Sequence, residues 1–93
     1  MGKKSIIQKD GSRCFVCGRM NELECHHVLA GPNRKWSEQY GLTVMLCHEH
    51  HTGKNGAQYN RELGDSLKRL AQIAFEARYS HDEWMQIIRK NYL

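Results

Sequence analysis

Two pairs of potential metal ligands constrain the fold of this chain more than any other feature. Cys14 and Cys17 lie three positions apart, and Cys47 and His50 repeat that spacing about thirty residues later. Two thiolates at this spacing can bind one ion where the backbone turns tightly, which Gly18 permits. Residues i and i+3 share a face at the start of a helix, so the second pair can complete a tetrahedron. Three thiolates and one imidazole favour a structural Zn²⁺.

Length makes such a metal important for stability. A chain of 93 residues, 40% of them hydrophobic, can form one small domain, and a domain of this size buries only about 60–65% of its unfolded surface. In a reducing cell interior, Cys residues act as metal ligands more often than as disulfides. Cys25 is a rival to His50 as the fourth ligand. We prefer His50 and expect Cys25 to be a small buried residue beside a strand.

The potential ligands are concentrated in the first half of the chain. Residues 1–12 are mostly polar and are predicted to be a loosely held lead-in segment, and residues 13–93 are predicted to form a single domain. Within it we assign 13–62 to the ligand-rich core and 63–93 to a helical part. Apolar runs are too short for the ~20 residues that cross a bilayer, so we expect a soluble, cytoplasmic protein without a membrane partner.

Short strands and helices are predicted around the ligands. Residues 24–28 and 42–46 are extended candidates, and the second contains a β-branched apolar run. A long loop, residues 31–41, would join them as a hairpin. The sequence therefore predicts an α+β fold.

Helical periodicity begins at Asp65 and is expected to continue to about Tyr79. The apolar face predicted to line the core consists of Leu67, Leu70, Ile73, Ala74 and Ala77. Ser80, followed three positions later by Glu83, fits a capping box and predicts a final helix. We expect this helical part to pack as core and to carry no chemistry.

Four further residues form a second constellation. His26 and His27 lie on the first predicted strand, while His51 and Asn55 are four positions apart on the helix that carries His50. Hydrolysis of a phosphodiester needs a cation at the phosphate and a base for the attacking water. His26, His51 and Asn55 can hold a divalent cation, either Mg²⁺, Mn²⁺, Ni²⁺ or Zn²⁺. His27 would stay off the metal and act as the general base.

The order of these motifs over residues 14–55 resembles the HNH endonucleases of the His-Me finger, or ββα-metal, superfamily, and the chain is similar to small HNH proteins encoded by bacteriophages. The resemblance implies a treble-clef-like β-hairpin and helix around one catalytic ion, braced by the zinc site. It places His27 at the position of the general base. It places His26, His51 and Asn55 at the positions of the metal ligands. It also implies cleavage or nicking of DNA.

One position departs from that family pattern. An Asn usually opens the second strand about five positions before the Cys, but this chain has Leu42 there, preceded by Gly41. Asn33 or Glu38, in the predicted loop, could take over its role of pinning the hairpin loop. The departure leaves room for an inactive relative.

Positive charge is consistent with a polyanionic partner. The formal net charge is +4, and we expect Arg34, Lys35 and Lys54 to contact DNA phosphates. Alternatively, the segment with Arg34 and Lys35 is an ordinary polar loop that Trp36 anchors to the core. Lys68 is expected on the solvated surface of its helix.

Three functions compete. The first is a metal-dependent DNA endonuclease, and the second is a zinc-stabilised nucleic-acid-binding module without catalysis. A purely structural phage component explains the zinc ligands but not the second constellation. Binding alone gives no reason for His27 and His51 to take a metal-and-base arrangement. The oligomeric state does not follow from the sequence.

Overall fold

The computed structural model describes residues 4–93, and it shows the predicted α+β class with a two-stranded sheet. The strands and helices, in chain order, are β1 (Leu23–His27), α1 (Arg34–Tyr40), β2 (Thr43–Cys47), α2 (His48–His51), α3 (Arg61–Arg78) and α4 (His81–Ile87). A single 3₁₀ turn, Gly31–Asn33, precedes α1. Among the described residues, no helix combines the length and apolarity needed to cross a membrane.

The two strands pair antiparallel, with Leu23 opposite Cys47 and His27 opposite Thr43. Both lie within one residue of their predicted bounds. Side chains alternate between the faces of a strand, so Glu24 and His26 share one face of β1. The hairpin therefore presents this acid and this imidazole on the same side.

The segment between the strands is not the predicted loop. After the 3₁₀ turn it forms α1, which ends at Gly41 with a φ of 70°. A Cβ there would overlap the carbonyl oxygen of Lys4, so only glycine fits. The buried Ser37 hydroxyl accepts from the Leu29 N–H and donates to the Leu29 carbonyl oxygen, both at 2.9 Å. These bonds attach α1 to the chain just after β1, and its seven residues are too few for a recognisable apolar stripe.

The lead-in segment is held more firmly than predicted, over the part that the structure describes. Its first three residues lie outside the described range. The Ile6 N–H donates to the Gly41 carbonyl oxygen at 3.0 Å, and the Ser5 hydroxyl donates to the Thr43 carbonyl oxygen at 2.5 Å. The Gln8 side-chain oxygen accepts from the Met45 N–H at 2.7 Å. The outer edge of β2 gains partners in this way.

The helical part begins earlier than predicted. Asn60 caps α3 by accepting from the Leu63 N–H, and Ser80 caps α4 by accepting from the Glu83 N–H at 3.1 Å, as the capping box predicts. The N-caps stabilise helix starts by pairing otherwise free N–H groups. Both helices contribute to the same hydrophobic core as the hairpin.

The predicted apolar face of α3 is only partly correct. Leu67, Ala71 and Phe75, spaced four apart, are buried, whereas Leu70 and Ile73 are 40% and 54% exposed. The helix therefore has two adjacent apolar stripes, one with Leu67, Ala71 and Phe75 and one with Leu70 and Ile73. The structure buries the Leu67 stripe in the core that is shared with the hairpin and α4. Trp84, fully buried beside Phe75, fills the space between the helices.

Candidate metal centre and histidine cleft

Four predicted donors converge in a cluster that can hold a metal ion. The ligand atoms of Cys14, Cys17, Cys47 and His50 all lie within 4.8 Å of one another. The Cys17 and Cys47 sulfurs are 3.7 Å apart, and His50 Nδ1 lies 3.3 Å from the Cys47 sulfur and 3.9 Å from the Cys14 sulfur. Tetrahedral zinc with bonds of about 2.3 Å to sulfur and about 2.0 Å to nitrogen requires edges of roughly 3.5–3.8 Å. We call this cluster the metal centre. Its dimensions are those of a tetrahedral site, which zinc prefers.

Local structure brings these donors together. The Gly18 N–H donates to the Cys14 carbonyl oxygen at 2.8 Å, which closes the turn between the first two ligands. Gly18 has a φ of 79°, a conformation that favours glycine. Cys47 ends β2 and is the N-cap residue of α2, so His50 follows on the first turn of that helix. The metal centre thus joins the hairpin to α2.

The thiols of the metal centre differ in acidity. Burial alone raises the pKa of the Cys14 thiol, but backbone hydrogen bonds from Cys47, Cys17 and a neighbouring residue outweigh burial and bring the pKa to about 6. Burial raises the pKa of the Cys47 thiol. A thiolate at Cys14 at neutral pH is the form that binds a metal.

Cys25 is neither a ligand of this cluster nor buried. It is a free, exposed cysteine on β1, and it is absent from the group of donors within metal-binding distance among the described residues. The preference for His50 over Cys25 agrees with this geometry. The expectation that Cys25 is buried is wrong, because the surface of β1 at this position faces an open cleft.

His26 of β1 and His51 of α2 lie close together, outside the metal centre. Their ring centroids are 5.2 Å apart and the rings are nearly perpendicular. His51 Nδ1 lies 2.5 Å from the Glu24 carboxylate, which also contacts His48 Nδ1 at 3.3 Å. A carboxylate that binds one ring nitrogen fixes the tautomer and leaves the other nitrogen available for a metal. Glu24 is a functional candidate that sequence reasoning missed, although its position two residues before His26 on one strand indicated a shared face.

His26 is held neutral in this environment. Burial lowers its pKa, and electrostatic repulsion from Lys68 and from the His51 and His27 rings when protonated lowers it further, to about 4. A neutral imidazole has a free lone pair, which is the form needed for metal ligation. The geometry and the charge state of His26 both suit a ligand.

His27 lies beside a carboxylate of α1. Its Nε2 is 3.3 Å from Glu38 Oε1, and Arg34 Nε is 3.8 Å from the same oxygen. The His27 side chain is 20% exposed, so it is accessible from solvent. Of the two residues suggested for the unassigned Asn position, Glu38 is the one that contacts His27.

Asn55 does not join the histidines. The helix α2 ends at His51, so the prediction that Asn55 shares a helical face with His51 is wrong. The chain turns away at two glycines: a Cβ at Gly53 would lie 2.6 Å from the Glu49 carbonyl oxygen, and one at Gly56 would lie 2.5 Å from the His51 carbonyl oxygen. The exposed Asn55 side chain donates to Glu49 at 3.3 Å instead.

The histidines open into a cleft of about 530 Å³, called the histidine cleft below. Its wall is formed by β1, by the start of α1, by the end of α2 and by α3, and it includes His26, His27, His51, Arg34 and Lys68. Arg34 was predicted as a phosphate contact, whereas Lys68 was expected on the solvated surface. Lys54 is exposed and lies outside this wall, and Lys35 lies 5.0 Å from the Trp36 ring centroid.

Comparison of the chain with protein-family models, with curated proteins and with solved structures finds no match. The geometry of the metal centre and of the histidine cleft is therefore what supports a function.

Proposed function

We propose that this chain is a metal-dependent endonuclease of the HNH type, which hydrolyses phosphodiester bonds of DNA in the histidine cleft. The observation that supports this proposal best is the convergence of His26, His27 and His51 on one cleft beside Arg34. A β-hairpin followed by a short helix is also the arrangement that the family resemblance implies. In this proposal the metal centre holds Zn²⁺ and braces the hairpin against α2.

The histidines have different roles in the proposed reaction. His26 and His51 would hold a divalent cation, which supplies positive charge for the phosphate oxygens and for the leaving oxygen. Glu24 orients His51 through its Nδ1. His27 accepts the proton of the attacking water, and the Glu38 carboxylate, 3.3 Å from its Nε2, orients the ring. Asn55 has no part in this mechanism.

A second candidate is a zinc-stabilised nucleic-acid-binding module without catalysis. Two observations favour it over the nuclease: Leu42 stands where the family has an Asn, and Asn55 bonds to Glu49 outside the histidine cleft. In this alternative, Arg34 and Lys35 contact phosphates but no bond is cleaved. Activity of the purified protein separates the two functions.

The test is nicking of supercoiled plasmid in the presence of Mg²⁺, Mn²⁺, Ni²⁺ or Zn²⁺. The nuclease proposal expects nicking by the wild type and a loss of about 10²–10⁴-fold in His27→Ala. His81→Ala is a matched control, because His81 is an exposed histidine that contacts Glu76, away from the histidine cleft. Zinc content and circular dichroism should be unchanged in both variants.

Wild-type protein that binds DNA but nicks nothing with any of the four cations would establish the binding module instead. Equal nicking by wild type and His27→Ala would remove His27 as the general base, even though a nuclease would remain.

A further inference from the structure

Lys68 of α3 lies in the wall of the histidine cleft, together with His26, His27 and His51. Its side chain is half-buried. The side chain therefore extends toward the histidines from the helical part, which was expected to carry no chemistry.

An aromatic ring positions Lys68 without neutralising it. Its ammonium group lies 5.7 Å from the ring centroid of Tyr92. The Tyr92 N–H donates to the Gln72 side-chain oxygen at 2.7 Å, and Gln72 is fully buried, so the end of the chain is fixed against α3. Within residues 4–93, Lys68 forms no salt bridge. The ammonium retains its hydrogen-bond donors for a ligand.

The wall of the histidine cleft suits an anion. Among the described residues that line it, Arg34 and Lys68 are the cations and no carboxylate is present. Glu24 and Glu38 contact His51 and His27 but are not part of this lining. Two cations on separate elements, α1 and α3, match the repeating phosphates of a nucleic-acid strand better than one small anion.

We propose that Lys68 is a substrate-binding residue, which contacts a backbone phosphate of a DNA strand lying in the histidine cleft while Arg34 contacts another. This inference rests on the proposed function for the identity of the substrate. It assigns the helical part a direct role in binding, because α3 supplies one of the two cations.

The test compares Lys68→Met with Lys90→Met. Both lysines lie over the Tyr92 ring, Lys90 at 5.1 Å from its centroid, but Lys90 is not part of the cleft wall. Each variant therefore loses one positive charge and one contact with the same ring. Affinity for a short fluorescein-labelled DNA duplex is measured by anisotropy over a series of salt concentrations, in the presence of Ca²⁺.

A lost phosphate contact flattens the slope of log affinity against log salt by about one unit. We expect this change in Lys68→Met and in Lys68→Gln, but not in Lys90→Met, and we expect Lys68→Arg to retain the wild-type slope. Circular dichroism and zinc content show which variants are folded. If Lys68→Met does not fold, Lys68→Gln replaces it in the test. A wild-type slope in the folded Lys68 variants, or no binding of DNA by the wild type, would overturn the inference.

The outcome is separable from that of the proposed function. A wild type that nicks no plasmid, combined with the flattened slope in Lys68→Met, would keep Lys68 as a phosphate contact and reject the nuclease. Plasmid nicking that is lost in His27→Ala but equal in wild type and Lys68→Met, at unchanged affinity, would keep the nuclease and reject the role of Lys68.

Discussion

Substitution of Cys17 by Ser provides a direct test of the metal centre. The Cys17 sulfur lies 3.7 Å from the Cys47 sulfur, at one corner of the tetrahedron, but Cys17 is exposed. Its replacement therefore removes a ligand without opening a cavity in the core. Any large loss of stability in Cys17→Ser has to come from the metal.

The expected loss of stability follows from the contribution of zinc and from the size of the domain. Structural zinc contributes on the order of 10–16 kcal/mol in small peptides, so one of four equal ligands accounts for about 2.5–4 kcal/mol. At 0.05–0.15 kcal/mol per residue, a domain of this length has a free energy of unfolding of roughly 5–14 kcal/mol. A two-stranded sheet adds little independent stability. With about 4–8 °C per kcal/mol, Cys17→Ser should melt about 10–30 °C below the wild type.

The assay is thermal denaturation followed by circular dichroism in reducing buffer, with zinc measured by elemental analysis. Cys25→Ser is the matched control, since Cys25 is also exposed but lies outside the metal centre; it should keep both its zinc and its melting temperature. Removal of zinc by a chelator should unfold the wild type. Folded wild type without zinc, or a melting temperature in Cys17→Ser equal to that of the wild type, would exclude zinc as the main source of stability.

Two further predictions concern the histidine cleft. Glu24→Gln weakens the orientation of His51, so the affinity for the catalytic cation, measured by calorimetry, should fall about 10–100-fold. The control Glu49→Gln, at an exposed position, should bind the cation as the wild type does. Equal affinity in the two variants would exclude Glu24 as a positioning residue. Because the pKa of His26 is about 4 when folded and 6.5 ordinarily, the unfolded chain takes up a proton in this window that the folded chain does not. The free energy of unfolding should therefore fall as the pH drops from 6.5 to about 4. That fall should be shallower in His26→Gln, as measured by urea denaturation at a series of pH values; parallel curves would contradict the assignment.

Features governed by short-range physics could be predicted from the sequence. The spacing of Cys14, Cys17, Cys47 and His50 indicated one cluster, because two-residue gaps within each pair allow few other ways to share an ion. The cap at Ser80 followed from local hydrogen bonding. The cap and the spacing within each ligand pair depend on residues within a few positions of one another, whereas the two pairs themselves meet across about thirty residues of chain.

Features that depend on tertiary packing could not be predicted. The end of α2 at His51, which leaves Asn55 outside the histidine cleft, was not indicated by any spacing in the sequence. The helix α1 is stabilised by Ser37, whose hydroxyl partners lie eight positions away. Periodicity alone could not choose between two apolar stripes on α3.

The ligands of the metal centre and the histidines available for chemistry could be identified from the amino-acid sequence, since both follow from residue type and spacing along the chain. The charged groups that accompany them depend on how the chain folds in three dimensions. Glu24 reaches His51 because the hairpin lies against α2, and Lys68 enters the histidine cleft because α3 buries Leu67 in the core that it shares with the hairpin. Such contacts join residues that are distant in sequence, and they form only when burial of the shared core fixes the direction of each helix.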